Sequence, residues 1–338
     1  MSRLVLAADV GGTKCLLQLS EFGGDRAQRI LAGPCRFASA EYESLEGVIE
    51  AFLQTYPLSI GQRSSLTACL AVAGPVLDGG RQARVTNLPW MLKANDITER
   101  FNILNTIIIN DFEAMGYGVT CLQQRDSLRL QTGDQQVDGP RLVVGAGTGF
   151  GVGQLFFQNG AHRPMATEGG HIDFAPVDDE QVALLSFLKG RWRHVSVERL
   201  LSGQGLCNIH DFLVQRAPSD LHPTLAQALG EGDPAAAISA YAGRNDAPTA
   251  QGAMRLFASI YGAVTGNLAL LTLPRGGIFV TGGIAAKNLD HLRQNNRFLT
   301  AFLDKGRMRP LLETFPVTIS LDQELGLKGA AYAAALQH

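Results

Sequence analysis

The sequence predicts an α/β protein of two domains, and three observations carry that reading. Apolar runs of strand length alternate with helix-length segments along most of the chain, as in sheets built with crossover helices. The 338 residues amount to about two domains of ordinary size. A strand–turn–strand unit also occurs twice. Leu4 to Ser20 reads strand, Asp-Val-Gly-Gly-Thr, strand, and Arg141 to Phe157 reads strand, Gly-Ala-Gly-Thr-Gly-Phe-Gly, strand. The pairs Gly12-Thr13 and Gly147-Thr148 lie about one domain length apart. Two related halves facing each other across a cleft would produce this echo, and so would chance similarity between glycine-rich turns.

The elements follow in order. Leu4–Val10 and Cys15–Ser20 are strands joined by the turn Gly11-Gly12-Thr13-Lys14. Leu45–Tyr56 places apolar residues at 45, 48, 49, 52 and 53, the stripe of a helix packed on one side. Leu66–Ala73 is a continuous apolar strand ending at Gly74-Pro75, and Thr106–Ile109 is a β-branched one ending at Asn110-Asp111. Gln123–Asp138 is polar without clear periodicity. Arg141–Val144 and Val152–Phe157 flank the second glycine-rich turn. Gly203–Ala250 reads as helices and loops added to the second half. Leu256 to Pro274 carries no charge and includes Gly262-x-x-x-Gly266, which resembles a membrane span. Ser259, Thr265, Asn267 and Thr272 within it favour a buried helix of a soluble protein. Gly277–Thr281 is a strand running into Gly282-Gly283, and Leu325–Leu336 is an alanine-rich helix.

Composition narrows the class. With 29 basic and 31 acidic side chains the formal charge is −2, which argues against a broad nucleic-acid-binding surface. Cys15, Cys35, Cys69, Cys121 and Cys207 form no Cys-x-x-Cys pair and fit neither a disulfide framework nor a zinc site. The first apolar run is interrupted at Asp9, too early for a signal-peptide core. A cytoplasmic protein without a membrane partner is expected. The 38 glycines suit many tight turns or close approach of backbone to a ligand.

Several constellations could carry chemistry. Glycine-rich hairpins beside a hydroxyl offer bare N–H groups to a phosphate, so Gly11, Gly12, Thr13 and Gly147, Thr148, Gly149 are candidates, with ordinary turns as the alternative. Neither fits a P-loop or the Gly-x-Gly-x-x-Gly dinucleotide spacing. Asp9 ends an otherwise apolar strand and suggests a metal–phosphate site or a capped turn. Asn110-Asp111 lies at a strand's carboxyl end, where an Asp can act as a base; it could equally cap a helix beginning at Phe112. Glu168-Gly-Gly-His171 combines donors and acceptors suited to sugar hydroxyls, and no metal-ligand pattern forms around it. Glu198 alone would be an ordinary surface acid. Thr281-Gly282-Gly283 could admit a flat adenine ring or be a plain turn.

Taken together, these motifs resemble the bacterial glucokinase family of the sugar kinase/actin/heat-shock ATPase superfamily. The resemblance runs nearly end to end: Asp9-Val-Gly-Gly-Thr13, Ala73-Gly-Pro-Val76, Thr86-Asn-Leu-Pro-Trp90, Asn110-Asp-Phe-Glu-Ala114, Gly145-Ala-Gly-Thr-Gly149, Glu168 to Pro176, Val197 to Gly203 and Thr281-Gly-Gly283. The related repressor–kinase group has a Cys-rich zinc motif after its Gly-His element; here no Cys follows His171 until Cys207. The resemblance implies a two-domain ribonuclease-H-like, actin-like ATPase fold with a sugar/ATP cleft between the domains. Residues 1–110 and 323–338 would form the smaller domain and 111–322 the larger. It implies ATP-dependent phosphorylation of the 6-hydroxyl of glucose, the first step of glycolysis. Asp111 would be the base, and Asn110, Asp111, Glu168, His171 and Glu198 would bind the sugar. Ala8, Asp9 and both Gly-Thr turns would hold the nucleotide, with Gly282 and Gly283 beside adenosine and Asp9 positioning Mg²⁺ through water. A homodimer is expected. Lys14 stands where the family commonly has Asn, so that it either adds charge near the phosphates or faces outward. Kinases for mannose or an N-acetylhexosamine, and a non-catalytic sugar sensor, are the competing functions.

Overall fold

The computed structural model describes residues 2–23 and 28–337; Met1 and His338, the outermost residues of the smaller expected domain, lie outside that set. The chain divides into two compact units. The first comprises residues 1–123, 160–166 and 322–338, and the second 124–159 and 167–321.

In the first unit, β1 (Arg3–Val10), β2 (Lys14–Phe22), β3 (Gln28–Ala38), β4 (Leu66–Val72) and β5 (Asn105–Asn110) form a sheet in the order β3-β2-β1-β4-β5. β1 pairs antiparallel with β2 and parallel with β4, which pairs parallel with β5. Both faces of β1 and β4 are covered, which is why these strands read as continuous apolar runs, while β3 at the sheet edge is mostly exposed. Leu6, Ala8 and Val10 pack with Leu45, Val48, Ile49 and Phe52 of α1 (Leu45–Thr55). Val5 and Ala7 face the other way, against Leu327, Ala330 and Ala331 of the C-terminal helix Leu325–Ala335. The period of two therefore places Asp9 on this second face.

The resemblance implies a domain boundary after Asn110, whereas the first unit continues through α2 (Asp111–Gly118) to Gln123. The cause is helix packing. A Cβ at Gly329 would collide with the Ala114 carbonyl and one at Gly118 with Leu325, so α2 and the C-terminal helix touch backbone to backbone.

In the second unit, β6 (Ser127–Gln131), β7 (Arg141–Ala146), β8 (Phe150–Gln158), β9 (Gly277–Thr281) and β10 (Val317–Ser320) run in the order β8-β7-β9-β10-β6. The series β8-β7-β9-β10 repeats β2-β1-β4-β5: an antiparallel hairpin, then two parallel strands beside its first arm. The internal echo in the sequence is thus a repeated topology. β6 lies in the stretch that shows no periodicity in sequence. An edge strand needs few apolar residues: Leu128 and Leu130 pack on the core, and Gln131 Nε2 donates to the Leu312 and Phe315 carbonyls (2.8 and 2.7 Å).

The membrane-like segment lies within α3 (Pro248–Thr272), whose most apolar window is 72% buried. Tyr261 is fully buried and meets Phe150, Phe257 and Phe298 at ring separations of 5.6, 5.9 and 5.5 Å. Gly262 and Gly266 face the backbone of Phe298 and Phe302 on the helix Arg297–Leu303, so the Gly-x-x-x-Gly pattern serves close packing inside the unit. The five cysteines are free thiols.

Candidate active site

The first unit gathers Asp9, the Gly11–Thr13 turn, Asn110 and Asp111 at the carboxyl ends of β1 and β5, with β4 between them. Ligands bind at such ends in α/β sheets, and two strand spacings put the ends about 10 Å apart. The turn is fixed through its carbonyls. Gly11 N–H donates to Lys14 C=O (3.0 Å), Ser39 N–H to Thr13 C=O (3.1 Å) and Ser39 Oγ to Gly11 C=O (2.8 Å). The N–H groups of Gly12 and Thr13 have no acceptor among the described residues, as a phosphate-binding turn requires. A Cβ at Gly12 would stand 2.7 Å from the Thr86 carbonyl oxygen. The Thr86-Asn87 motif thus serves as backbone packed under the turn. Ala8 is buried in the core and supports the turn from within; no polar group of its side chain is offered to a nucleotide.

The helix cap falls on Asn110. Its Oδ1 accepts the Phe112 N–H (2.9 Å), and its Nδ2 donates to Gly74 C=O (3.3 Å). Glu113 accepts the Asn110 N–H, which completes a reciprocal capping arrangement. Asp111 is thereby the first helical residue rather than the cap. Its Oδ1 accepts the Phe112 N–H (2.9 Å), and its own backbone N–H and the Asn110 amide also hydrogen-bond the carboxylate. Burial first, and then the charge of Asp9, push its carboxyl up to about 6, against the hydrogen bonds that favour the ionised form. Burial also raises the Asp9 carboxyl, and the Lys14 ammonium partly offsets this. Lys14 is itself solvent-exposed, so it supplies charge without being buried.

This donor set fits Mg²⁺ arriving with a nucleotide. Two carboxylates that repel each other gain from a divalent cation, and no cluster of three metal-ligating side chains occurs among the described residues. Phosphate oxygens would complete the coordination, as is usual for this ion.

The second unit gathers the remaining residues. In its turn, Gly147 N–H donates to Gly149 C=O (2.8 Å), Gly203 N–H to Gly147 C=O (2.9 Å), and Phe150 N–H to Glu198 Oε2 (2.9 Å). Thr148 and Gly149 keep free N–H groups among the described residues, and nothing lies within 4 Å of a Cβ built at Gly147. β9 runs alongside β7, so Gly282-Gly283 follows Thr281 next to this turn. Gly282 has φ +87° and packs on the Ala146 carbonyl, which leaves no room for a side chain; Gly283 faces open space. Glu168 and His171 flank the short turn Gly169–His171, with His171 Nε2 3.8 Å from Glu168 Oε2 and both side chains exposed. Gly170 lies directly on the Phe150 carbonyl, and the backbone bridge Asp173–Ser196 leads to Glu198. Glu168, His171 and Glu198 are therefore held around the start of β8, next to the second turn.

Two further residues support the site. Ser39 has no local signal, because its partners Gly11 and Thr13 lie far back in the chain. Glu113 has one: Asn110-x-x-Glu113 matches capping spacing.

The glucokinase family profile matches residues 6–337. A glucokinase from Nostoc sp. strain PCC 7120 is 39% identical over 345 aligned residues, covering 98% of this chain and 99% of that protein. Among solved structures, glucokinase from an Antarctic psychrotroph superposes with a TM-score of 0.84 at 29% identity, covering 99% of both chains. A ROK family glucokinase from Streptomyces griseus, in complex with glucose and AMPPNP, shares the fold, with a TM-score of 0.65 at 23% identity over 99% of this chain and 100% of that one. With a profile spanning both units and a relative alike over nearly its whole length, this chain belongs to the glucokinase family and has the actin-like ATPase fold of sugar kinases.

Proposed function

We propose that the chain transfers the γ-phosphoryl group of ATP to the 6-hydroxyl of glucose, giving glucose 6-phosphate and ADP, with Asp111 as the base. The observation that carries this reading is the Asp111 carboxylate. Asn110 caps the helix, and the Asp111 carboxyl is tuned to about 6 beside the Gly11–Thr13 turn. A base of that strength is ionised near neutral pH and can take the hydroxyl proton. Its contribution is present above pH 6 and is lost as the pH falls through about 6.

The other roles follow from chemistry. The loose transition state of phosphoryl transfer asks for positioning and neutralised charge, which bare N–H groups and threonine hydroxyls supply at both turns. Mg²⁺, carried by the phosphates and approached through water by Asp9, would add further neutralisation. Gly282 and Gly283 leave backbone open to adenosine. Glu168, His171 and Glu198 offer acceptors and a donor to sugar hydroxyls, and the Asn110 amide would add to them from beside Asp111. On the same reading the enzyme is a cytoplasmic homodimer that starts glycolysis. Its free thiols support a reducing compartment.

A coupled assay of hexose phosphorylation with MgATP tests the substrate. Glucose is expected to have the highest kcat/KM, with mannose and N-acetylglucosamine at least about tenfold lower, since a site bonding each hydroxyl rejects both an epimer and an analogue in which a hydroxyl is replaced. Absence of glucose 6-phosphate, or a higher kcat/KM for another hexose, would overturn the proposal.

A further inference from the structure

We infer that Glu198 is the positioning residue through which hexose binding sets the second Gly-Thr turn, so that sugar and nucleotide strengthen each other's binding. The inference rests on the proposed function, in which that turn holds phosphate and Glu198 meets the sugar. One carboxylate serves both. Its Oε2 accepts the Phe150 N–H at 2.9 Å, and Oε1 carries no hydrogen bond among the described residues. The surrounding segment grips the turn from both ends. Glu198 holds Phe150 at one end, and Gly203 N–H holds the Gly147 carbonyl at the other (2.9 Å). The segment is itself fixed: Ser202 Oγ donates to Glu198 C=O (2.8 Å) and accepts the Gly205 N–H (2.9 Å). Behind it, Val197 N–H donates to Ile172 C=O (2.9 Å) and Phe174 N–H to Val195 C=O (3.0 Å). The backbone frame is rigid, and the half-buried Glu198 side chain is its adjustable part.

A sugar hydroxyl donating to Oε1 would restrict that side chain and hold Oε2 on Phe150. A nucleotide binding next would have less disorder to remove from the turn, which is positive coupling without a large movement. Linkage makes the effect reciprocal.

Calorimetric titration of the full chain with AMPPNP and Mg²⁺, with and without saturating glucose, measures the coupling. In the wild-type protein, glucose is expected to tighten AMPPNP binding about fivefold or more. In Gly149→Ala the new methyl stands 2.5 Å from Glu198 Oε2 and displaces the flexible carboxylate from Phe150. The factor should then fall below about twofold, measured at a glucose concentration that saturates the variant. Glu198→Asp, too short to reach Phe150, and Glu198→Gln, whose single amide oxygen cannot serve both Phe150 and the sugar hydroxyl, should lose the coupling as well. These two variants decide the question if Gly149→Ala does not fold. Coupling that survives in Gly149→Ala, Glu198→Asp or Glu198→Gln, or is absent from the wild type, overturns the inference. Failure of the wild type to bind glucose overturns the proposed function instead.

Discussion

The two Gly-Thr turns share a motif and a place in the topology, yet they are built differently. Each joins the arms of a hairpin whose first strand continues into parallel neighbours. Each has its carbonyls tied down and N–H groups left over. The first is closed by Ser39, a neutral residue with no exposed surface. The second is closed by Glu198, a charged and partly exposed residue. Their glycines differ in parallel: Gly12 is required by the Thr86 backbone, and Gly147 faces empty space. The first turn is thus a fixed fitting, and the second can respond to a ligand.

Alanine at each glycine separates a demand of the fold from a demand of the ligand, and this contrast should give the larger effects. Gly12→Ala meets backbone that cannot yield, so overpacking of about 1–3 kcal/mol is expected. That should lower the melting temperature by about 2–8 °C and cut kcat/KM for ATP by about 100-fold or more. Gly147→Ala should melt like the wild type and raise KM for ATP by about tenfold, because only the approach of phosphate is obstructed. Thermal melts and ATP titrations that showed the same losses in both variants would erase the distinction.

Ser39→Ala is a milder probe of the first turn. It removes one hydroxyl bond, worth about 0.5–1.5 kcal/mol, and should raise KM for ATP about 2- to 10-fold. The glucose dissociation constant should stay at its wild-type value. A change confined to glucose affinity would show that Ser39 does not act through the turn.

The same contrast marks what could be read in the sequence. Asp9, both turns, Asn110-Asp111 and Gly282-Gly283 end strands, where a break in apolar patterning is visible locally. Their fastenings are not local. Ser39 meets Gly11 through the end of β3, and Glu198 meets Phe150 only because the segments around Asp173 and Ser196 pair. A helix cap at Asp111 was one open reading, and hydrogen bonding gives that place to Asn110, which frees the acid. The first unit extends past Asn110 because α2 packs on a helix more than two hundred residues later in the chain, a contact no local pattern announces. β6 carries no periodic signature because a paired edge strand can be mostly polar.

The central claim is that Asp111 acts as the base, and Asp111→Asn tests it most directly. Measured by calorimetry for glucose and by the coupled assay for turnover, the variant should bind glucose within about threefold of wild type while kcat falls about 10²- to 10⁴-fold. A variant that folds, binds glucose and turns over at a near-normal rate would contradict the assignment.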